Sequence, residues 1–152
     1  MKKVGWLLLI LVFLGGCSNR IKQDDSIERI YLDSEYYGKG DFREIDSSFV
    51  DDNNGNYVLY VYNNYCAFAK PCDDVFKSFV DTYNVTFLKI PFNDFKNTKY
   101  YETIMYGPSI VIIQNGQIID YLDANSDDDF DAYQDNQVFA KWLDKYIFFN
   151  DK

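Results

Sequence analysis

Residues Tyr57 to Tyr83 read YVLYVYNNYCAFAKPCDDVFKSFVDTY, and this stretch decides the fold. Its alternating, aromatic-rich opening, Tyr57 to Tyr62, predicts a buried strand. Asn63 and Asn64 break the run; Cys66 follows, then five residues, then Cys72. Beyond Cys72 the apolar positions Val75, Phe76, Phe79, Val80 and Tyr83 recur as one face of an amphipathic helix. Two cysteines thus lie between the end of a strand and the start of a helix. Thiols so placed are available for exchange chemistry, and the rest of the chain must decide whether these are used that way.

The N-terminus bears on that question. Lys2 and Lys3 precede an unbroken apolar run from Trp6 to Leu14. Nine residues are too few to cross a bilayer, which takes about 20, so the run reads as a secretory signal. Leu14-Gly15-Gly16-Cys17 resembles the lipobox of bacterial lipoproteins. That resemblance implies cleavage before Cys17, lipidation of its sulfur and a domain held at the extracytoplasmic face of a membrane. The expected division is a signal peptide (1–16), a tether and N-terminal extension (17–40) and one folded domain (41–152).

Loss of residues 1–16 removes two lysines and leaves 13 basic against 24 acidic residues, a net charge of −11. So acidic a chain is repelled by nucleic acid and by anionic headgroups, so no nucleic-acid partner is expected and the lipid must supply membrane attachment. The chain has no histidine. Ser-His-Asp and Cys-His catalysis are therefore excluded, and neither a metal site nor a cofactor is expected. With Cys17 acylated, Cys66 and Cys72 are the remaining thiols, in a compartment that permits disulfides.

Working outward, Asp41 to Ile45 suits a first strand and Ser47 to Asp52 a short helix, while Glu28 to Tyr37 fits either a short helix or spacer. After the Cys72 helix, Val85 to Ile90 is a second strong strand, Phe92 to Asn97 a connector and Thr98 to Met105 a short helix. Ser109 to Ile113 and Gln117 to Leu122 flank Asn115-Gly116, a strong hairpin signal. Asp123 to Asp135 reads as an acidic loop, and Gln137 to Phe149 as a closing helix. A helical crossover between neighbouring parallel strands followed by an antiparallel hairpin gives an α/β fold, a mixed sheet flanked by helices.

That order, with cysteines on the first strand-to-helix turn and a proline before the third strand, resembles the thioredoxin superfamily from about Tyr57 to Phe149. Tyr65-Cys66 stands where the family has Trp-Cys, and Lys70-Pro71-Cys72 where it closes its motif. Gly107-Pro108-Ser109 matches the family's cis-proline loop. Gln114-Asn115-Gly116 matches its hairpin, and Lys89 the lysine many members carry beneath the site. The resemblance implies a thioredoxin-like fold, Cys66 and Cys72 as the exchanging pair and Pro108 opposite them. Gly107 and Ser109 would receive the substrate backbone, with Tyr65, Phe68 and Tyr106 as an apolar docking surface. Lys70, Pro71 and Lys89 would support the cysteines. The implied substrate is a thiol- or disulfide-containing protein, handled by a monomer.

The departures are physical. Six steps of straight helix would place the two Cα atoms about 9 Å apart, whereas a disulfide needs roughly 4.4–6.8 Å. The pair can bridge if Ala67 to Lys70 forms a loop and the helix starts near Pro71, a favoured first-turn residue. Cys72 then occupies the first helical turn. Asp73 and Asp74 beside it oppose thiolate formation, and Tyr60 stands where the family carries a buried aspartate. Two readings follow. One is a membrane-tethered thiol–disulfide oxidoreductase. The other is a non-catalytic binding or accessory lipoprotein in which the closed seven-residue loop contributes about 2 kcal/mol of stability. In the acidic loop, Asp123, Asn125, Asp127 and Asp129 alternate as in a calcium loop, but Asp128 replaces the required glycine and Gln134 the closing glutamate.

Overall fold

The computed structural model describes residues 28–63 and 71–151. Five strands form: β1 (Phe42–Glu44), β2 (Tyr57–Tyr62), β3 (Phe87–Pro91), β4 (Ser109–Gln114) and β5 (Gln117–Tyr121). The helices are α1 (Ser47–Asp52), α2 (Cys72–Tyr83), α3 (Phe92–Phe95), α4 (Phe130–Gln134) and α5 (Asn136–Leu143). Single 3-10 turns occur at Ser34–Tyr36 and Asp127–Asp129.

The strands lie in one sheet, ordered β1-β3-β2-β4-β5. β3 runs parallel to both β1 and β2, while β4 is antiparallel to β2 and to β5. β2 is central and its first five residues are buried, which explains a continuous apolar run instead of alternation. The hairpin between β4 and β5 turns at Asn115 (φ 50°) and Gly116 (φ 70°). Two consecutive left-handed residues are what a tight two-residue hairpin requires, and Asn-Gly supplies them at least cost.

α2 buries Val75, Phe76, Phe79 and Val80, and Tyr83 rims that face partly exposed. The helix closes at Asn84, whose φ of 53° is left-handed and tolerated by Asn better than by most residues. Beneath α2, Phe76 and Phe79 meet Phe139 of α5 at centroid distances of 4.8 and 5.2 Å, and Phe79 stacks on Phe87 of β3 at 5.6 Å. These rings are fully or almost fully buried and form the centre of the core on that face.

Several boundaries differ from the sequence expectation. The acidic loop contains α4, because Ala132 and Tyr133 find buried positions on a turn whose other side is aspartate. The closing helix stops at Leu143; a turn then carries Ile147 into a parallel bridge with Ile30. Thr98 to Met105 forms successive turns, and the helical turn lies earlier, at Phe92–Phe95. The core also takes in residues assigned above to the N-terminal extension. Ile30, Leu32 and Tyr36 are buried, and the amide of Ile30 donates to the carbonyl of Tyr146 at 2.7 Å.

Candidate functional site

β2 ends at Tyr62 and α2 begins at Cys72, with Pro71 as its N-cap. Cys72 is therefore the first helical residue, as the spacing argument required. It is 1% exposed, and its sulfur is disulfide-bonded. The positive end of a twelve-residue helix favours a thiolate at that position, while burial among apolar side chains opposes it. Cys17, Tyr65, Cys66, Phe68 and Lys70 lie outside the described residues.

Opposite the end of β2 stands the loop before β4, because Val61 pairs with Ser109 across the antiparallel ladder. The Gly107–Pro108 peptide is cis. Three hydrogen bonds fix this loop. The side-chain amide of Asn63 donates to the Gly107 carbonyl, joining the loop to the exit of β2. The Ser109 hydroxyl donates to the Tyr106 carbonyl at 2.8 Å. The buried Tyr133 hydroxyl lies 2.8 Å from the Pro108 carbonyl and 2.9 Å from that of Leu122, its single proton shared between two acceptors. Gly107 is packed so that a Cβ there would come 3.0 Å from the Phe92 ring. Beside the loop, Met105 and Tyr106 are about half exposed (54% and 50%), an apolar pair facing solvent.

A charged cluster adjoins the start of α2. Asp73 accepts a hydrogen bond from the Tyr60 hydroxyl, and its other carboxylate oxygen lies 3.6 Å from Nζ of Lys89. Register explains the meeting: Tyr60 and Lys89 are partners across β2 and β3, so both reach the α2 side of the sheet. The Lys89 ammonium is also ringed by Tyr62 at 4.2 Å, Phe42 at 5.3 Å and Tyr60 at 5.5 Å. Aromatic faces of this kind stabilise a cation. Burial first, then the bond to Asp73, pushes the Tyr60 phenol far above its usual pKa, so it remains a donor at neutral pH.

Of the positions singled out from sequence, Pro71, Cys72, Lys89, Tyr106, Gly107, Pro108 and Ser109 fall at one end of the sheet, where β2 and β3 finish and β4 begins. The fold is thioredoxin-like. Three residues that organise the site gave little signal. Asn63 reads as a chain break, Tyr133 sits in an aspartate-rich run, and Asp73 reads only as an anion beside a cysteine. Among the described residues no group of three His, Cys, Asp or Glu side chains could hold a metal ion, and no helix is long and apolar enough to cross a membrane.

No protein-family profile matches the chain, and no curated protein sequence matches it. Solved structures similar to it include the oxidised thioredoxin of Plasmodium falciparum, at 17% identity and TM-score 0.45, covering 67% of this chain and 98% of that one. A mutant thioredoxin of Halobacterium salinarum is similar at 13% identity and TM-score 0.47, covering 72% and 93%. Thioredoxin f2 of Chlamydomonas reinhardtii follows at 16% and 0.41, covering 62% and 92%. Likenesses this distant carry no argument about activity; the fold assignment stands on sheet order, the helix that Cys72 opens and the cis-proline loop.

Proposed function

We propose that this protein is a membrane-anchored, extracytoplasmic thiol–disulfide oxidoreductase acting on secreted or envelope proteins, lipidated at Cys17 and working through Cys66 and Cys72. The reading rests chiefly on the disulfide-bonded sulfur of Cys72 at the first residue of α2, on the same end of the sheet as the cis Gly107–Pro108 loop. Its disulfide partner in this reading is Cys66. The burial of Cys72 suits a resolving thiol, leaving Cys66 to attack. In the reducing direction the Cys66 thiolate attacks a substrate disulfide, one substrate thiolate leaves, and a mixed disulfide forms. Cys72, deprotonated, then attacks the Cys66 sulfur, releasing the second substrate thiolate and closing Cys66–Cys72. The substrate gains two electrons, the protein loses two, and the reverse sequence oxidises a dithiol.

The half-exposed Met105 and Tyr106 would hold an apolar stretch of substrate, and backbone beside Pro108 would pair with it. Replacing Cys72 by Ser should trap the first step as a mixed disulfide through Cys66, visible as a reducible higher-mass species with envelope proteins. Absence of any adduct with that variant, in either redox direction, would remove the catalytic reading.

The burial of Cys72 also suits the second reading, a thioredoxin-fold accessory lipoprotein with a static disulfide. The reduction potential separates the two. A value below about −300 mV marks a structural bond, and a higher one an exchanging pair.

A further inference from the structure

Met105 is the single methionine of the described residues; the other in the chain is Met1. At 54% it is also the most exposed large apolar side chain among them. That exposure is built into the backbone. Ile104, immediately before it, is buried, and its amide donates to the Tyr100 carbonyl at 3.0 Å. On the other side, the Ser109 hydroxyl donates to the Tyr106 carbonyl, and the Asn63 side-chain amide to that of Gly107. The chain is thus held on both sides of Met105, while the thioether reaches solvent beside Tyr106 and the cis-proline loop. A thioether is apolar and readily oxidised, and gaining one oxygen makes it polar and chiral. Cys72 offers no such target in the closed form, because it is buried and disulfide-bonded.

We propose that Met105 is a sulfoxidation site, and that its oxidation by hydrogen peroxide closes the apolar docking surface to protein substrates. The inference rests on the exchange reading above and names a control on that same site. The sulfur lone pair attacks one peroxide oxygen; the S–O bond forms, the O–O bond breaks, and the other oxygen leaves as water. Sulfur loses two electrons and the peroxide gains them. A dithiol methionine sulfoxide reductase reverses the change, its two thiols becoming one disulfide as the oxygen departs as water. The sulfoxide oxygen accepts hydrogen bonds from water. An apolar substrate segment settling on Met105 and Tyr106 must strip that water without replacing its bonds, which opposes docking. Exchange with small thiols needs no such contact and continues.

The test exposes the full chain, with its disulfide closed, to dilute hydrogen peroxide, which catalase then removes. The added oxygen should appear in the fragment from Tyr100 to Lys141, which cleavage at lysine releases with Met105 as its sole sulfur. The rate at which the disulfide opens is then read with two thiols, a small dithiol and a cysteine peptide flanked by aromatic and aliphatic residues. Oxidation should slow the peptide by roughly three- to tenfold, the effect of losing part of a buried methionine contact, and leave the dithiol rate as it was. The reductase should restore the peptide rate. Met105→Gln should show the slow peptide rate without peroxide. Met105→Leu, which has no sulfur, should show the same rates before and after treatment. A fragment that gains no oxygen under conditions that convert free methionine overturns the site. Oxidation that slows both thiols alike, or neither, overturns the control. Calorimetry with a peptide carrying Ser in place of Cys reads docking without exchange. Docking weakened by oxidation, in a protein whose disulfide neither thiol opens, would reject the oxidoreductase and leave the switch standing; exchange and docking that ignore the oxidation would do the reverse.

Discussion

Tyr133 shows how one side chain can hold a site from a distance. Its hydroxyl spans the carbonyls of Pro108 and Leu122, tying the cis-proline loop to the chain leaving β5, and its ring meets Phe76 at 5.8 Å. Tyr133→Phe keeps the ring but leaves two carbonyls short of a donor in a buried setting. The expected cost is about 1–3 kcal/mol in chemical denaturation, and, in the exchange proposed above, mixed-disulfide formation would slow because Pro108 is less firmly placed. An unchanged midpoint of unfolding would show that the hydroxyl bears no load. This residue was not legible in the sequence, since a lone aromatic among Asp123 to Asp135 carries no periodicity. Pro108 was legible, because Gly107-Pro108-Ser109 before an apolar strand has few structural interpretations. Asp73 was legible as a residue and misleading as a charge, because its partners come from two strands distant in sequence.

At the level of elements, α2 and α5 are held by rings more than by hydrogen bonds. Phe139 touches Phe76, Phe79 and Phe87 and lies stacked at 6.1 Å from Trp142. Phe139→Ala would empty the middle of that cluster, and about 3–5 kcal/mol of stability should go with it, read from urea or thermal unfolding. A loss under about 1 kcal/mol would mean that the neighbouring rings collapse into the space. Strands were readable as short apolar runs bounded by turn residues, and the two longer helices because their apolar positions recur at helical spacing. α4 was missed because five residues offer barely one turn of pattern. The overextended closing helix has a specific cause: Tyr146 and Ile147 keep helical spacing, but Ile147 is taken by the bridge to Ile30. A long-range contact of that kind leaves no trace in local periodicity.

For the whole molecule, the tyrosine-rich core makes a prediction about base. Burial pushes the phenols of Tyr57 and Tyr60 far above their usual range, with the nearby Tyr100 adding to Tyr57 and the Asp73 bond to Tyr60. A folded-state pKa above the unfolded one means that the native state keeps the proton longer. The associated stability is therefore complete below about pH 10 and is lost as pH rises beyond it, at up to about 1.4 kcal/mol per pH unit for each group. Phenolate absorbance should show exposed tyrosines ionising first and the buried pair ionising only as near-ultraviolet dichroism collapses. Smooth ionisation of every tyrosine with the fold intact would contradict this. Fold class was readable at this scale from element order alone. The extent of the folded unit was less so, because Ile30 and Leu32 sit in a polar stretch whose partners lie beyond Leu143.

The entry of the chain into that unit has an orientational consequence. Asp33 donates its amide to the carbonyl of Asn56 at 2.9 Å, and the Asn56 side chain reaches the Tyr31 carbonyl at 3.0 Å. Residues 31–33 therefore lie beside the start of β2, whereas Cys72 follows its other end. Six strand residues span about 20 Å. In the lipid-anchored form proposed above, the leash meets the domain at the pole opposite its sulfur chemistry. A taut leash would then turn Cys72 and the cis-proline loop away from the bilayer. Shortening the leash should limit how far that pole can travel without turning it inward.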